Sequence, residues 1–574
     1  MKKCSAYGVE TKLDKQFSLK ASFTQAWLGS LALSLVFVGG IRAEAADRTS
    51  FFVPRDGNSV AQPIPANAVF ADQAFGDGAS DGWKAYLRLW RAHHDDPSSE
   101  PIRQFLGLPV TGTTEAKIAR GRSAPRWLQW SAGSYQQVTT PHFTVYSRAE
   151  DDFSREMAND LEVCYWIWTQ MFFPMWEARA QVATNLAGLN QQDVSAYLKS
   201  QPGRITIRRK MRVVLFRDSA EYQQTLGGEI PGIEQSTGFY NDDKQTIFLY
   251  ASNDDDVATR RHELVHQLFR EATRSKLGRA KPGDDNGFWI VEGIAGYFES
   301  LRIGTSIATV GGWDAPRLQF ARYRMLVHND LMPIGELRAD GRLAAQGRAD
   351  IARWYAHAIA QTHHLLDSGD TKQRVAIYQL LNQRYATGAK IAGGAIDRGV
   401  EQRLRRFLSI DDKVIEANPI SHPLSQLCLA GCEVTDETLG QIPPSPRLRW
   451  LDLSRQPISN DAIRRLAPSP ESVEQLTLEL TKVDPDLQNW LGQATSLREL
   501  DLSHTPMDDG VMQAISSAKF LEVLWMTGTK LTDQSIDTIA GLPKLQMVNL
   551  QQSAVTQTGL RSLKTHKPNL KVNE

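Results

Sequence analysis

Leu497-Arg498-Glu499-Leu500-Asp501-Leu502-Ser503-His504-Thr505-Pro506-Met507 reads as one short strand followed by a turn, and its pattern recurs. The same frame starts at Leu424, Leu448, Val473, Leu521 and Leu545, so six copies follow one another at intervals of 24 or 25 residues. Apolar residues stand three and five places after each start: Leu427/Leu429, Leu451/Leu453, Leu476/Leu478, Leu500/Leu502, Leu524/Met526 and Val548/Leu550. Another stands ten places on, at Val434, Ile458, Val483, Met507, Leu531 or Val555. A single copy cannot bury its apolar side. Stacked copies bury a continuous core, and six exceed the roughly three needed for stability.

This L-x-x-L-x-L frame is that of leucine-rich repeats, so residues 420–574 are expected to form an α/β solenoid in which each short strand returns along a helix. Thr435-Asp436 and Thr532-Asp533 stand where a side-chain oxygen caps that helix. Cys432 takes the place of Thr505, Thr529 and Ser553 and is expected to be buried. Trp450 and Trp525, with Arg449, Asp452, Arg498, Asp501 and Glu522, are read as solvent-facing strand positions. Exposed aromatics among mixed charges suit a protein partner. The alternative is that the tryptophans pack against the preceding domain.

Upstream the texture differs. His142–Tyr146, Met211–Phe216 and Thr246–Tyr250 alternate like strands, Asp151–Phe173 has helical spacing, and helical patterns dominate from Asp256 to about Ile415. Residues 138–415 are therefore expected to form an α+β domain with its site among the helices. Residues 46–137 show one helical stretch, around Trp83–Trp90, and no assignable role.

At the N-terminus, Lys2, Lys3, Lys12, Lys15 and Lys20 precede an uncharged run from Ala26 to Ile41, then Ala43-Glu44-Ala45. Residues 1–45 read as a signal peptide cut before Ala46, with an uncleaved membrane anchor as the alternative. Either places the remainder outside the cytoplasm, secreted or in the cell envelope. Lys+Arg and Asp+Glu are equal at 65 each, and no basic stripe alternates with aromatics, which argues against nucleic acid. Cys164, Cys428 and Cys432 are too few for a disulfide scaffold.

The chemistry sits in His262-Glu263-Leu264-Val265-His266. Two histidines four apart on a helix share one face, so both imidazoles reach a single zinc ion. Glu263 is rotated off that line and suits a general base acting on water. A catalytic zinc needs a third protein ligand. Glu292, in the apolar segment Trp289-Ile290-Val291-Glu292-Gly293-Ile294-Ala295-Gly296-Tyr297-Phe298-Glu299, is the best candidate, because a buried carboxylate is costly unless paired or bound to metal. Glu299, two turns on, is placed to orient a ligand histidine, or to form an ordinary salt bridge.

H-E-x-x-H followed by W-x-x-E-G-x-A-x-Y-x-E resembles the gluzincin metallopeptidases, the superfamily of thermolysin and the zinc aminopeptidases, over His142 to Leu366. The resemblance implies zinc held by His262, His266 and Glu292, with Glu263 polarising the water. The 25 residues between His266 and Glu292 exceed the family's usual gap, and Lys276–Gly287 reads as a lengthened loop. By the same resemblance Tyr355 stands where a tyrosine donates to the oxyanion, although His357 and Ala358 replace the Lys and Gly of that setting. His363 and His364 read as surface or packing residues rather than ligands. Gly238-Phe239-Tyr240-Asn241-Asp242 lacks the glutamate with which the aminopeptidases hold a free amine. That departure points to cleavage within a polypeptide, with Thr246–Tyr250 as the edge strand that aligns the substrate. The resulting expectation is an exported zinc endopeptidase acting on polypeptide, a cell-wall peptide included. The alternative from another class is a non-catalytic binding protein whose peptidase-like fold scaffolds the repeats.

Overall fold

The computed structural model describes residues 48–573, apart from 61, 111–115, 190–192, 201–202, 204, 206–208, 231, 253–256, 390, 392 and 397–398. The leader read at residues 1–45 lies outside the described residues. The chain separates into two units, one of residues 47–312 and 333–398, the other of residues 313–332 and 399–574.

In the first unit, Thr49–Phe52 (β1) pairs in parallel with Val69–Phe70 (β2). The main sheet contains Lys117–Arg120 (β3), Gln136–Thr139 (β4), Phe143–Ser147 (β5), Met211–Phe216 (β6), Gly238–Asn241 (β7) and Thr246–Tyr250 (β8), in the order β3-β4-β5-β6-β8-β7. Strands β5, β6 and β8 run parallel, and β3, β4 and β7 run antiparallel to their neighbours. Arg302–Ile303 (β9) and Ile307–Val310 (β10) complete the small sheet against β1. Residues 48–139 thus supply two strands to each sheet, and also the helix Asp81–Asp95. That helix buries Trp83, Tyr86, Leu89 and Trp90 because its apolar positions recur at helical spacing. The edges of the main sheet are β3 and β7. Thr246–Tyr250 is paired on both sides, so it is not the edge strand read from the sequence.

In the second unit, Gln426–Cys428, Trp450–Asp452, Gln475–Thr477, Glu499–Asp501, Val523–Trp525, Met547–Asn549 and Lys571–Asn573 (β11–β17) form one parallel sheet in sequence order. The register keeps Leu427, Leu451, Leu476, Leu500, Leu524, Val548 and Val572 in line. The seventh strand escapes the sequence pattern because Asn569 stands at its frame start. Thr435 and Thr532 cap the returning turns, accepting from the N–H groups of Thr438 and Gln534. Thr481, Thr505, Thr529 and Ser553 each donate to the carbonyl three residues earlier, whereas Cys432 is buried with its sulfur accepting from Ile410 N.

The first strand of a parallel stack has an unpaired edge, which a folded protein must cover. The cap comes from the helix Pro316–Arg322, far upstream in sequence. Gln319 Oε1 accepts from Cys428 N at 2.9 Å, and Arg322 Nη1 donates to Cys428 O at 2.9 Å. The next turn brings Tyr323 edge-on to Trp450, ring centroids 5.8 Å apart. Part of the solvent-facing reading is corrected by burial. Asp452 is buried with Ser454 donating to it, and Glu522 is buried against Arg498. Trp525 stays half-buried.

Candidate metal centre

Two helices build the site. The histidine helix, Val257–Leu277, contains no Gly or Pro and puts Leu264, Val265, Leu268 and Phe269 into the core. Arg260 and Arg261 tie it to Asp160 on the helix Asp151–Met171, and Gln267 Nε2 donates to Arg212 O on β6. The glutamate helix, Phe288–Phe298, is wholly buried. Gly287 precedes it at φ 64°, and the N–H groups of Gly287 and Phe288 are satisfied by Arg338 O and Asp340 O. Gly293, directly after Glu292, lets the helix Ile351–Asp367 approach. A Cβ there would collide with Thr362 Oγ1 and come within 2.9 Å of Ala358 O. The histidine helix runs on through Leu277, so the long spacing to Glu292 is part helix and part loop. Arg342 holds that loop through Asp284 and Pro282 O.

His262, His266 and Glu292 converge. Their ligand atoms lie within 4.8 Å of one another, and all three residues are buried. His262 Nε2 is 3.4 Å from Glu292 Oε2, and His266 Nε2 is 3.7 Å from Glu292 Oε1. Tetrahedral zinc with bonds of about 2.0–2.1 Å separates its ligand atoms by roughly 3.3 Å, so the spacing fits with small adjustment. Glu292 Oε1 accepts no hydrogen bond although it is buried. Such an oxygen is expensive to leave unmatched unless a cation binds it. A donor set of two imidazoles and one carboxylate suits a divalent metal ion.

Glu299 fixes which nitrogen faces the triad. A carboxylate only accepts, so His262 Nδ1 donates to Glu299 Oε1 at 2.9 Å and leaves the Nε2 lone pair toward Glu292. Burial pushes His266 down to about 3, with Glu292 opposing and His262 and Arg342 assisting. The imidazole is therefore neutral at physiological pH, the form that binds metal. Burial pushes Glu292 up, but His266, His262 and Arg342 outweigh it and hold the carboxyl below its usual range.

Glu263 lies beside the triad on the same helix, 1% exposed. Its Oε2 accepts the Tyr240 N–H of edge strand β7 at 2.5 Å. Sequence reading missed this contact, because nothing in a strand pattern tells which N–H groups turn outward. It also missed the fate of Asp242, which binds Arg270 Nε at 2.7 Å and Arg274 Nη2 at 2.9 Å. Tyr355 is buried on the helix Ile351–Asp367, its ring edge-on to Trp354 at 5.4 Å. His363 and His364 are buried packing residues, with His363 Nδ1 3.1 Å from Asp367 Oδ2 and His364 Nδ1 3.2 Å from Gln361 Nε2.

A family model described as "Protein of unknown function (DUF1570)" matches residues 256–386, a stretch that includes the triad and Tyr355. No curated protein matches the chain. Among solved structures, an internalin from Listeria monocytogenes is similar at 17% identity and a TM-score of 0.22, over 26% of this chain. The match spans 47% of that structure, about half its length. By its own geometry and sequence pattern, the chain carries a His-His-Glu metal-binding triad with zincin-like spacing, together with a parallel-strand solenoid of the leucine-rich-repeat type.

Proposed function

We propose that this protein is an exported zinc-dependent peptidase that cleaves within polypeptide chains and grips a protein through its repeats. The observation that carries the reading is the convergence of His262, His266 and Glu292 in a buried site whose histidine tautomer Glu299 sets. Bound there, zinc would supply Lewis acidity to a peptide carbonyl and to water. Glu263 takes the proton of the attacking water on its carboxylate and passes it to the departing nitrogen. Tyr355 donates its hydroxyl to the developing oxyanion. Edge strand β7 is the place where an extended substrate can align, with Tyr240 N–H already given to Glu263. Asp242 is neutralised by two arginines and makes a poor holder of a free amine, which supports internal cleavage. Export rests on the leader sequence alone, and protein binding on the half-buried Trp525 and the charged strand positions around it.

The test combines elemental analysis with one substitution. About one zinc per purified full chain is expected, and Glu263→Gln should keep that zinc while lowering peptide hydrolysis about 10²–10⁴-fold. A chain that takes up no zinc after reconstitution would sink the reading and leave the repeats as the working part. Hydrolysis undiminished in Glu263→Gln would remove the general-base assignment.

A further inference from the structure

Strand β14 turns the carboxyls of Glu499 and Asp501 to the face opposite Leu500, which is fully buried in the repeat core. The register places Gln475 and Thr477 on one flank of the pair, and Val523 and Trp525 on the other. Met547 follows Val523 one strand further on. Neighbouring strands are about 4.8 Å apart, so an apolar strip of Val523, Met547 and Trp525 borders the two carboxyls. Glu499, Asp501 and Trp525 are half-buried and open to a partner. Glu499 accepts from the Gln475 side chain, and Asp501 from Ser503 N at 2.8 Å. The nearby arginines are engaged elsewhere, Arg498 with Glu522 and Arg455 with Glu479. Among the described residues no Lys or Arg forms an ion pair with Glu499, Asp501 or Asp452. Asp452 stands behind them in the row of Asp501, 1% exposed, and its Oδ2 accepts no hydrogen bond. At the start of the same face the chain supplies its own cover, Tyr323 against Trp450. The face around β14 thus sets carboxyls without a cation beside an aromatic ring and an apolar strip. A Lys or Arg side chain has the complementary build, an apolar stem with a head that bonds carboxylates and lies on aromatic faces.

We propose that the repeat face around Glu499, Asp501 and Trp525 receives a Lys or Arg side chain of a partner protein. The inference rests on the reading that the repeats grip a protein, and it names the chemistry of that contact. The stem lies on Val523, Met547 and Trp525. The charged head lies between the carboxyls of Glu499 and Asp501, whose backbones are roughly 6.6 Å apart as residues i and i+2 of one strand. Both are specificity-determining residues, and they select a basic stretch of the partner over a neutral or acidic one.

The experiment is fluorescence anisotropy with the full chain carrying Glu263→Gln, so that no probe is cut. The probes are labelled Gly-Ser nonapeptides, acetylated and amidated, with three residues replaced by Lys, by acetyl-lysine or by Glu. Burial pushes Glu499 up to about 7 and Asp501 to about 6, so both are ionised at pH 8, where binding is read. At physiological salt, which screens long-range attraction, the Lys peptide should bind about 10-fold more tightly than the acetyl-lysine peptide. The double variant Glu499→Gln/Asp501→Asn should erase that difference. Glu437→Gln/Asp461→Asn, which removes two exposed charges from the same array, should keep it. Equal binding of the Lys and acetyl-lysine peptides, or no binding, overturns the proposal. Tighter binding of the Glu peptide overturns it too, while leaving the repeats as a protein-binding surface. A preference that survives the double variant overturns the placement at Glu499 and Asp501. Displacement by spermidine at the peptide's own concentration overturns the protein partner in favour of a free polyamine. The probe comparison needs no variant at the site, so it holds even if the double variant does not fold. Zinc and hydrolysis play no part in the readout, so the peptidase reading stands or falls separately.

Discussion

Buried carboxyl groups behave in opposite ways in the two units. In the first, burial pushes Glu292 up, yet His266, His262 and Arg342 outweigh it and hold the group below its usual range. In the second, burial wins. Asp452 and Asp501 are each pushed up to about 6, against the bonds from Ser454 and Ser503, and Glu499 to about 7 with Glu522 adding to the rise. The chemistry of the group is the same, and the difference is which neighbours the fold supplies. A site assembled from unrelated segments gives its carboxylate two imidazoles and an arginine as partners. A repeat array copies one frame, and the register sets these carboxyls opposite Cys428, Thr477, Gln475, Val523 and Trp525 rather than opposite cations.

The sharpest way to break this contrast is at Arg322, the buried cation that the repeat unit does provide. It is 1% exposed and donates to Leu408 O, Gln319 Oε1, Cys428 O and Trp313 O at 2.8–3.0 Å. Arg322→Met would strand those acceptors at the open edge of the stack, and the expected loss is about 3–5 kcal/mol. Hydrogen exchange at β11 and β12 during urea unfolding should report it, with zinc content unchanged. Unaltered protection of the first two strands would show that the cap is dispensable.

A smaller effect is expected at Glu299 in the other unit. Glu299→Gln keeps an oxygen for His262 Nδ1 but removes the charge that sets the tautomer. Zinc affinity should fall about 10–100-fold, measured by competition with a chelator. An unchanged affinity would reduce Glu299 to a packing residue and blunt the contrast between the units.

How legible each unit was follows from the same difference. The solenoid is written in one period, and six of its seven strands follow from Leu, Val and Met at fixed offsets. Its cap is not legible, because Gln319 and Arg322 lie a hundred residues upstream and belong to no repeat. At the metal centre, His262, Glu263 and His266 are readable from helical spacing, and Glu292 from being a charge in an apolar segment. The partners that tune them come from distant elements: Tyr240 N–H, Arg342, and the Asp160 pair with Arg260 and Arg261. Short strands such as β3 and β4 escape the sequence reading because four residues, at least half of them polar, carry almost no alternation signal.

The subtlest prediction concerns pH and sharpens the comparison directly. A carboxyl whose folded-state pKa exceeds its unfolded value favours the folded state while protonated in it. Its contribution is fully present below the ordinary value, near 3.8 for Asp452, and is lost as pH rises through about 6. With Asp501 and Glu499 the window extends to about 7. The repeat unit should therefore lose stability between about pH 4 and pH 7. Asp452→Asn removes one ionisation and should stabilise the protein at pH 7–8 by about 1 kcal/mol, with little change at pH 4. The gain falls short of what the shift alone implies, because an amide accepts from Ser454 more weakly than a carboxylate does. Urea midpoints at the two pH values measure it. A variant less stable than wild type at pH 8 would mean that Asp452 is held ionised by donors, as Glu292 is, and the contrast between the two units would fail at its most buried acidic residue.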